Sequence, residues 1–522
     1  MQMTGGRAVV EALDAWGVDV VFGIPGVHTL ALYDALYDHP RIRHVTTRHE
    51  QGAGFMADGY ARASGRVGVA LTTTGPAAVN ALTPIGEAQA ESSPVLLICS
   101  GPTDETNGAD AGVLHDMRDQ FGTLFSVTGQ GQRVSRVEEI PDALAKGFEA
   151  MKYSRPRPYI LEVPLDVFKD EADVEISEPA HRPPQMPEGA ALDAAATLIG
   201  SASKPMLLAG GGTQNASAEV VALAEKLGVP VAVTANGQGA IPADHPLLVR
   251  EKAMTTCLNE ADVVIAVGTR LGFRFGQMWK GKPEKLIHLD IDPSVIGRSF
   301  KPDVALVGDA GAGLKALNER LGETKTEWNL DGHESGKDET PGYMIPGPFT
   351  ELLGVLRDTL DRDAVVVNDM TMISYQARRT FPVYQPRTFL APTVYGTLGF
   401  SMPAAVGAKI ACPDKQVVSL CGDGGFMYTA TDLSTAVQQG VSLPIILCND
   451  NTYSAIKRAQ DRECEGRNIA VKLANPDFVM FGKSFGMAAT RVTNAPEFGE
   501  ALEEALQADG PTLIEVYLPE YS

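Results

Sequence analysis

The chain has 522 residues and a formal net charge of −21 at pH 7, because 65 Asp and Glu outnumber 44 Lys and Arg. This length exceeds one compact core and predicts about three domains, while the acidity argues against nucleic acid or an anionic membrane surface as a partner. No apolar run of roughly 20 residues, signal-peptide pattern or CxxC pair is present, so we expect a cytoplasmic globular protein without a zinc site or disulfide framework.

The first elements lead into a turn-rich loop. Thr4 is suited to cap a helix, and residues 18–22 form an apolar, β-branched run typical of a strand. The strand runs into a loop that contains Pro25 and His28. Proline beside glycine favours a tight turn, so these residues alone do not indicate a binding site.

A helix rich in alanine and glycine is predicted at residues 48–62, with Glu50 in its first turn. Small residues on one face favour close packing against another surface, and we expect this packing to carry Glu50 inward. A buried carboxyl has a raised pKa and can share a proton with a ring nitrogen. The alternative is that Glu50 only complements the helix dipole.

The rest of the N-terminal part alternates strands with turns. Strands are predicted at 66–72 and 94–100, the first followed by Thr74 in a turn and by a helix that carries Asn80. A polar loop at 101–120 is expected to overhang a pocket, although a histidine in such a loop is often only solvated. The polar residues of this loop include Asp104, Asp110 and His115.

A second doubly wound domain follows a proline-rich, acidic stretch at 170–189, which is predicted to be a linker. In this domain, strands alternate with helices such as 216–227. Three glycines at 210–212 follow its first strand, but without a GxGxxG pattern they are weak evidence of a nucleotide site. The strands are predicted at 206–209, 229–234, 263–267 and 286–291.

A second polar linker, 322–348, leads to a third domain with a helix at 350–360 and a strand at 364–368. Thr371 follows this strand and is a candidate phosphate contact. Residues 394–403 are predicted to form a loop that enters a helix.

Two acids stand at neighbouring strand ends in the last part of the chain. Strands at 417–421 and 443–449 flank a helix at 431–439, which predicts a right-handed parallel unit. Asp423 and Asp450 follow the two strands. Because ligands of such sheets bind where the strands end, we expect the carboxylates to bind Mg²⁺ and the glycines beside Asp423 to let a phosphate approach. A tight strand-to-helix turn is the plainer explanation of Gly-Asp-Gly-Gly alone.

This stretch resembles the diphosphate signature of thiamine diphosphate-dependent enzymes, GDG followed by NN or ND after the next strand. In that family the Asp of GDG, the second residue of the Asn pair and a backbone carbonyl beyond it bind magnesium, which implies metal ligands at Asp423, Asp450 and Thr452. Asp450 departs from the Asn of many members, and its charge should tighten the metal and slightly repel the diphosphate. The diphosphate contacts implied by the resemblance are Gly422, Gly424, Gly425 and Tyr453.

The string HEQGAGFMADGYAR resembles the pyrimidine-domain motif of the same family, whose Glu hydrogen-bonds N1′ of the aminopyrimidine and matches Glu50. The 394–403 loop resembles the GTM or GTL triplet, which implies that the carbonyl of Gly396 accepts from the 4′-amino group and that Leu398 keeps the cofactor bent. In relatives the region of His28 and His115 supplies substrate contacts, and both are candidate catalytic residues. Further implied cofactor contacts are Pro25, Thr74, Asn80 and Thr371.

The resemblance covers the whole chain and implies an α/β fold of three doubly wound parallel-sheet domains. These are a pyrimidine-binding domain at 1–170, a middle domain at 188–322 and a diphosphate-binding domain at 345–522. Thiamine diphosphate and Mg²⁺ are the implied cofactors, and FAD in the middle domain is not expected. Because the domains of Glu50 and Asp423 pair between chains in this family, a homodimer or homotetramer with active sites at the subunit interface is implied.

The implied reaction is non-oxidative decarboxylation of a small-molecule 2-oxo acid through an enamine, which releases an aldehyde or adds to a second carbonyl. Strings such as FGIPGVHTLALYDAL look most like the 5-guanidino-2-oxopentanoate (2-ketoarginine) decarboxylase branch, near the acetolactate synthases. Asp104 and Asp110 are candidate partners of a guanidinium, although a solvated loop explains them equally well. An acetolactate synthase-type carboligase is the alternative, but NTYSAIKRAQ after Asp450 lacks the Gln-Trp pair associated with that enzyme.

Two other classes stay open. A nucleotide-dependent oxidoreductase that uses the middle domain predicts a bound flavin and a yellow protein, and a non-catalytic binding protein of this fold predicts cofactor binding without release of CO₂. Intact Glu50 and Asp423 argue against the second.

Overall fold

The computed structural model describes residues 1–180, 182–272, 279, 283–322, 326–330 and 348–519. Its main strands form three sheets with parallel pairing. The chain makes two compact units, one of Met1–His181, Ala364–Ser374 and Leu390–Ser522, the other of Arg182–Asp363 and Tyr375–Phe389. Among these described residues, no helix has both the length and the apolar character that crossing a membrane requires. The linker expected at 322–348, with the boundary expected at 345, falls largely outside the described residues.

The N-terminal part builds the first sheet. Its elements, in chain order, are β1 (Gln2–Thr4), α1 (Gly5–Ala15), β2 (Val20–Gly23), α2 (Leu30–Tyr37), β3 (Arg43–Thr46), α3 (Glu50–Ser64), β4 (Gly68–Thr72), α4 (Pro76–Asn80), α5 (Leu82–Glu91), β5 (Val95–Gly101), α6 (Gln120–Thr128), β6 (Gly131–Arg133), α7 (Ile140–Tyr153), β7 (Tyr159–Pro164) and β8 (Glu171–Asp173). The strand order is β3-β2-β4-β5-β7-β6. Every residue of β4 and β5 is buried, as strands covered on both faces require. The expected linker at 170–189 is wrong at its start, because β8 pairs antiparallel with β1.

The second sheet belongs to the second unit. Its elements are α8 (Gly189–Gly200), β9 (Pro205–Ala209), α9 (Ser217–Leu227), β10 (Val231–Val233), α10 (Glu251–Glu260), β11 (Val263–Val267), β12 (Lys285–Asp290), β13 (Val304–Val307) and α11 (Ala310–Arg320). The strand order is β10-β9-β11-β12-β13. A Cβ on Gly212 would lie 2.7 Å from the Cα of Gly268. Close approach of two loops therefore explains the glycine run at 210–212.

The third sheet is built from the C-terminal part. Its elements are α12 (Phe349–Thr359), β14 (Val365–Asn368), α13 (Met372–Thr380), β15 (Phe389–Leu390), α14 (Ser401–Ala411), β16 (Val417–Gly422), α15 (Asp423–Phe426), α16 (Leu433–Gln439), β17 (Leu443–Asn449), α17 (Ser454–Glu463), α18 (Phe478–Ser484), β18 (Ala488–Val492), α19 (Ala495–Leu506) and β19 (Pro511–Tyr517). The strand order is β15-β14-β16-β17-β19-β18. The helix predicted at 431–439 begins two residues late, because a 3-10 turn, Ala430–Asp432, precedes it.

Helices α3 and α14 cross at very short distance within the first unit. A Cβ on Gly59 would overlap the carbonyl of Ala404, and a Cβ on Gly407 would overlap that of Met56. Beside this crossing, the buried rings of Phe55 and Phe400 meet edge to face at 5.6 Å. The prediction that the alanine- and glycine-rich helix packs closely against another surface is therefore confirmed.

Candidate functional site

Two carboxylates lie at one edge of the third sheet. Asp423 directly follows β16, and Asp450 directly follows β17. The two strands are parallel neighbours, and Gly422 is paired with Cys448. The expectation that both acids stand at adjacent strand ends is confirmed.

The electrostatics of this pair favour a cation. Burial raises the pKa of Asp423 to about 6, a hydrogen bond from Asn475 opposes the rise, and the Asp450 carboxylate adds to it. Burial also raises the pKa of Asp450, although Ser454 Oγ and the N–H of Thr452 (3.1 Å) donate to its carboxylate. Asp423 is buried and Asp450 is half-buried. Two carboxylates that repel each other in such surroundings are stabilised by a nearby cation, and oxygen donors of this kind suit Mg²⁺.

Asn475 completes the polar cluster, and sequence reasoning did not single it out. Its amide nitrogen lies 2.6 Å from Asp423 Oδ2, 3.1 Å from Asn449 Oδ1 and 3.2 Å from Asn451 Oδ1. The N–H groups thus face a group of oxygens that would also suit a cation. In the sequence, the only signal is an Asn-Pro pair, which is typical of a turn.

The predicted metal site depends on the backbone as well as on the two acids. Across the part of the chain that the structure describes, no three His, Cys, Asp or Glu side chains are grouped to hold a metal ion. The ligand set that the resemblance implies, Asp423, Asp450 and the carbonyl of Thr452, stays a prediction.

The glycines around Asp423 pack against the predicted phosphate-side residues. A Cβ on Gly422 would lie 2.6 Å from Thr371 Oγ1, and a Cβ on Gly424 would overlap the ring of Tyr453. Glycine is thus required at both positions, and Thr371 and Tyr453 are brought to the Gly-Asp-Gly-Gly turn. The helix that follows is the single turn α15. These residues fit a metal-bound diphosphate.

Asp369 organises the neighbouring loop and was also missed. Its buried carboxylate accepts from the N–H groups of Gly399 (3.2 Å) and Ser401 (3.2 Å). It also contacts the position of Gly425, where a Cβ would lie 3.2 Å from Asp369 Oδ1. The loop between α13 and α14, with Gly396 at φ +76° and the half-buried Leu398, is thereby tied to the turn of Asp423. An acid directly after a strand, here β14, was the available signal.

Glu50 is the first residue of α3 and faces Asn80. The side chain of His49 caps the helix by accepting from the N–H of Gln51 at 3.0 Å, and the Asn80 amide donates to Glu50 Oε2 at 3.0 Å. The expectation that Glu50 is buried is wrong for the single chain, because the residue is half-buried and Asn80 is exposed. The buried small residues of α3 begin at Gly52, and Glu50 precedes them at the surface end of the helix.

His28 and His115 come together at a cavity. Their ring centroids are 5.3 Å apart, and His28 Nδ1 lies 2.9 Å from Thr74 Oγ1. Pro25, three residues before His28, is exposed. Burial lowers the pKa of His28, and the neighbouring His115 lowers it further. His115 has a φ of +65°, and its buried Nδ1 has no hydrogen-bond partner among the described residues. The residues that line the cavity are His28, Pro102, Thr103, Thr106, Val113, Leu114, His115 and Leu165.

Asp104 has a guanidinium partner within the chain. Its carboxylate forms an ion pair with Arg133 at 2.9 Å, and Arg133 also contacts the buried Glu162. Asp104 therefore anchors the polar loop after β5. Arg133 engages one carboxylate oxygen of Asp104, whose side chain is 65% exposed, and a contact of Asp104 with a guanidinium substrate stays a prediction.

Models of three domains of one enzyme family match the chain. The N-terminal TPP binding domain of thiamine pyrophosphate enzymes matches residues 3–123, the central domain matches 192–317, and the C-terminal TPP binding domain matches 369–516. The chain belongs to the thiamine pyrophosphate (thiamine diphosphate) enzyme family.

Curated relatives extend over almost the whole chain. It is 37% identical to the probable 2-ketoarginine decarboxylase AruI of Pseudomonas aeruginosa, over 98% of this chain and 94% of the relative. It is 36% identical to the acetolactate synthase large subunit of Corynebacterium glutamicum, over 99% and 87% of the two chains. It is 34% identical to the acetolactate synthase isozyme 2 large subunit of Escherichia coli, over 99% and 96%. The relatives thus include a probable decarboxylase and large subunits of acetolactate synthases.

Proposed function

We propose that this protein catalyses the thiamine diphosphate- and Mg²⁺-dependent, non-oxidative decarboxylation of a 2-oxo acid and releases an aldehyde. The observation that carries the proposal is the pair Asp423 and Asp450 at adjacent strand ends, beside glycines against which Thr371 and Tyr453 pack. When bound, the cofactor supplies a ring that takes up the electron pair left by CO₂. The protein then has to hold the diphosphate, orient the rings and move protons.

The chain's own residues divide these tasks. Asp423, Asp450 and the carbonyl of Thr452 would hold Mg²⁺, and Thr371 and Tyr453 would flank the diphosphate. Glu50 would hold or release a proton at N1′ of the aminopyrimidine, while the Asn80 amide fixes its carboxylate at 3.0 Å. The carbonyl of Gly396 and the side chain of Leu398 would orient the aminopyrimidine and the bend of the cofactor.

The histidine cavity is the proposed substrate site. A neutral imidazole can donate its N–H to a carbonyl oxygen or accept a proton from a hydroxyl group, and the lowered pKa of His28 keeps it neutral at pH 7. A buried ring nitrogen of His115 without a described partner is costly unless a ligand satisfies it. A positive φ at a residue other than glycine is also strained, and such strain concentrates at functional sites.

A homodimer or homotetramer is part of the proposal. Large apolar side chains near the candidate site are exposed in the single chain: Val394 by 56%, Tyr395 by 55% and Tyr428 by 53%. Patches of this kind mark association surfaces. In such an assembly, Glu50 of one copy would serve the cofactor held by Asp423 and Asp450 of the other. Domains at 1–170, 188–322 and 345–522 and a cytoplasmic location are further parts of the proposal.

Acetolactate synthase-type carboligation is the second candidate, and the relatives named as acetolactate synthases favour it. The two reactions share the loss of CO₂ and differ in the product that is released, an aldehyde or a ligated 2-hydroxy ketone. A panel of 2-oxo acids, with and without an acceptor carbonyl compound, separates them by CO₂ release and by product mass. A yellow purified protein would instead point to a bound flavin.

Replacement of Glu50 by Gln tests the assigned chemistry. Glutamine retains an oxygen that accepts from Asn80 but has no titratable proton, so turnover should fall by about 10²- to 10⁴-fold, the usual range for loss of an acid–base group. Binding of Mg²⁺ should persist, because Glu50 is not one of its ligands. Glu503→Gln, at an exposed position of α19, is the matched control. A Glu50→Gln variant with unchanged turnover would refute the role of Glu50.

A further inference from the structure

Helix α5 holds the loop that precedes α14 through two glutamates one helical turn apart. The carboxylate of Glu91 accepts from Thr393 Oγ1 at 2.7 Å and from the N–H of Val394 at 2.6 Å. Glu87 Oε2 accepts from Thr397 Oγ1 at 3.2 Å and from the Thr397 N–H at 3.4 Å. We call residues 391–397 the cofactor loop, because Gly396 lies within it and Leu398 follows it directly.

The same cluster ties the cofactor loop to α3. Arg62 donates to the carbonyl of Ala391 at 2.9 Å, to Glu87 Oε1 at 3.4 Å and to Asp58 Oδ1 at 3.0 Å. Its guanidinium also lies 4.9 Å from the ring centroid of Phe400, at the start of α14. The cofactor loop is thus fixed at Ala391 by Arg62, at Thr393 and Val394 by Glu91, and at Thr397 by Glu87.

Only two residues lie between the second and third of these anchors. They are Tyr395, whose ring abuts Gly86 of α5, and Gly396, at φ +76°. A span this short between fixed ends has little conformational freedom. The two glutamates therefore limit the directions that the Gly396 carbonyl can take. Leu398 lies between Thr397, which Glu87 holds, and Gly399, whose N–H donates to Asp369.

We propose that Glu87 and Glu91 are positioning residues that hold the cofactor loop in the conformation that receives thiamine diphosphate. This inference rests on the proposed function, since it is that function which gives Gly396 and Leu398 their contacts with the cofactor. The contacts of the two glutamates described above are with the cofactor loop and with Arg62. Their effect is on cofactor affinity, through the geometry of the two residues that they hold.

Because Glu87 is titratable, its positioning role predicts that cofactor affinity depends on pH, which a merely structural contact does not predict. Glu87 is fully buried, and burial raises its pKa to about 7; Arg62 opposes the rise, and the carboxylates of Glu91 and Asp58 add to it. Tyr395 is the titratable residue that the cofactor loop itself places against α5. Protonation of Glu87 removes the charge that attracts Arg62 and weakens acceptance from Thr397. Cofactor affinity should therefore fall as the pH drops below 7, and this component should be absent when residue 87 cannot titrate.

The test is calorimetric titration of the Mg²⁺-loaded full chain with thiamine diphosphate at pH 6 and pH 8, without substrate. Glu87→Gln and Glu91→Gln should each weaken binding about tenfold at pH 8, the effect of roughly one charge-assisted hydrogen bond. Glu87→Gln should also reduce the difference between the two pH values. Thr397→Val removes the hydroxyl from the other side of the contact and should weaken binding in the same direction, while Glu503→Gln should bind as the wild type does.

The outcomes separate this inference from the proposed function. If the wild type does not bind thiamine diphosphate, the proposed function fails. If the wild type binds, but Glu87→Gln, Glu91→Gln and Thr397→Val all retain its affinity and its pH dependence, the function stands and the positioning role is overturned. Variants with lower thermal stability but unchanged affinity for thiamine diphosphate would also overturn the positioning role, because a contact that is only structural gives that result.

Discussion

Asp432 is a buried acid that holds the start of the Glu50 helix, and its replacement by Asn should make the protein more stable. Asp432 Oδ1 accepts from the N–H of Arg48 at 2.8 Å and from Thr435 Oγ1 at 3.0 Å. Its Oδ2 is buried without a hydrogen-bond partner among the described residues. Burial raises the pKa of Asp432 to about 6, although those bonds and the charges of His49 and Arg48 oppose the rise.

The size of the effect can be calculated from the pKa. An increase from the ordinary value of 3.8 to about 6 corresponds to roughly 3 kcal/mol of preference for the neutral form in the folded state. For an acid whose pKa is raised by folding, the stabilising contribution is complete below the unfolded value and is lost as the pH rises through the folded value. Asn keeps the shape and removes the charge. Asp432→Asn should therefore add about 3 kcal/mol to the free energy of unfolding at pH 8 and about half of that at pH 5.

Thermal unfolding at a fixed scan rate, at pH 5 and at pH 8, checks this expectation. The gain in Tm of Asp432→Asn should be larger at pH 8, whereas Asp509→Asn, at an exposed turn, should change nothing at either pH. Turnover should fall even as stability rises, because the bond to the Arg48 N–H loses its charge and the first turn of α3 loosens. A gain that is equal at the two pH values, or a loss of stability at pH 8, would refute the reasoning.

Two further expectations concern ligand binding and packing. Addition of Mg²⁺ with thiamine diphosphate at about 100 times the Kd should stabilise the fold by about 2.7 kcal/mol. The effect is measured as a rise in Tm, which EDTA should reverse and the Asp423→Ala substitution should abolish. An equal rise in Tm for Asp423→Ala would mean that the metal binds elsewhere. Gly59→Ala should lower the free energy of unfolding by about 1–3 kcal/mol, because its methyl group would overlap the carbonyl of Ala404. Gly354→Ala in α12, where a Cβ meets nothing within 4 Å, should leave it unchanged or raise it by up to about 1 kcal/mol. Equal Tm values for the two variants would contradict the close helix crossing.

The features that sequence reasoning predicted correctly are encoded locally. Small residues at helical spacing predict helix α3. Short apolar, β-branched runs that end at an acid predict strands β16 and β17. The placement of Asp423 and Asp450 at one edge followed from the rule that parallel strands end together. No long-range contact had to be known for any of these predictions.

The features that were missed depend on residues far apart in the chain. Arg48 and Asp432 are 384 residues apart, and Glu87 and Thr397 are 310 apart. Each residue alone is an ordinary polar side chain in a helix or loop, and the neighbouring sequence does not indicate its hydrogen-bond partner. The strand β8 was missed for a similar reason, since it pairs with β1 at the opposite end of the N-terminal part. The half-buried state of Glu50 was not predicted, because helical periodicity identifies the buried face of a helix but does not show how much of its first turn is exposed.

Helix α3 is held at both ends by C-terminal residues, and this arrangement limits what the motifs can do alone. At its start, Asp432 accepts from Arg48; near its end, Arg62 donates to Ala391; and between them Gly59 lies against Ala404. A rigid, glycine-packed helix transmits a shift at one end to the other, because packed interiors resist deformation. Loss of the Arg62 contact should therefore disturb Glu50, which lies in the first turn of the same helix. A helix that flexed freely at Gly59 would confine the damage to the cofactor loop, so comparing turnover with cofactor affinity in an Arg62→Lys variant decides between the two.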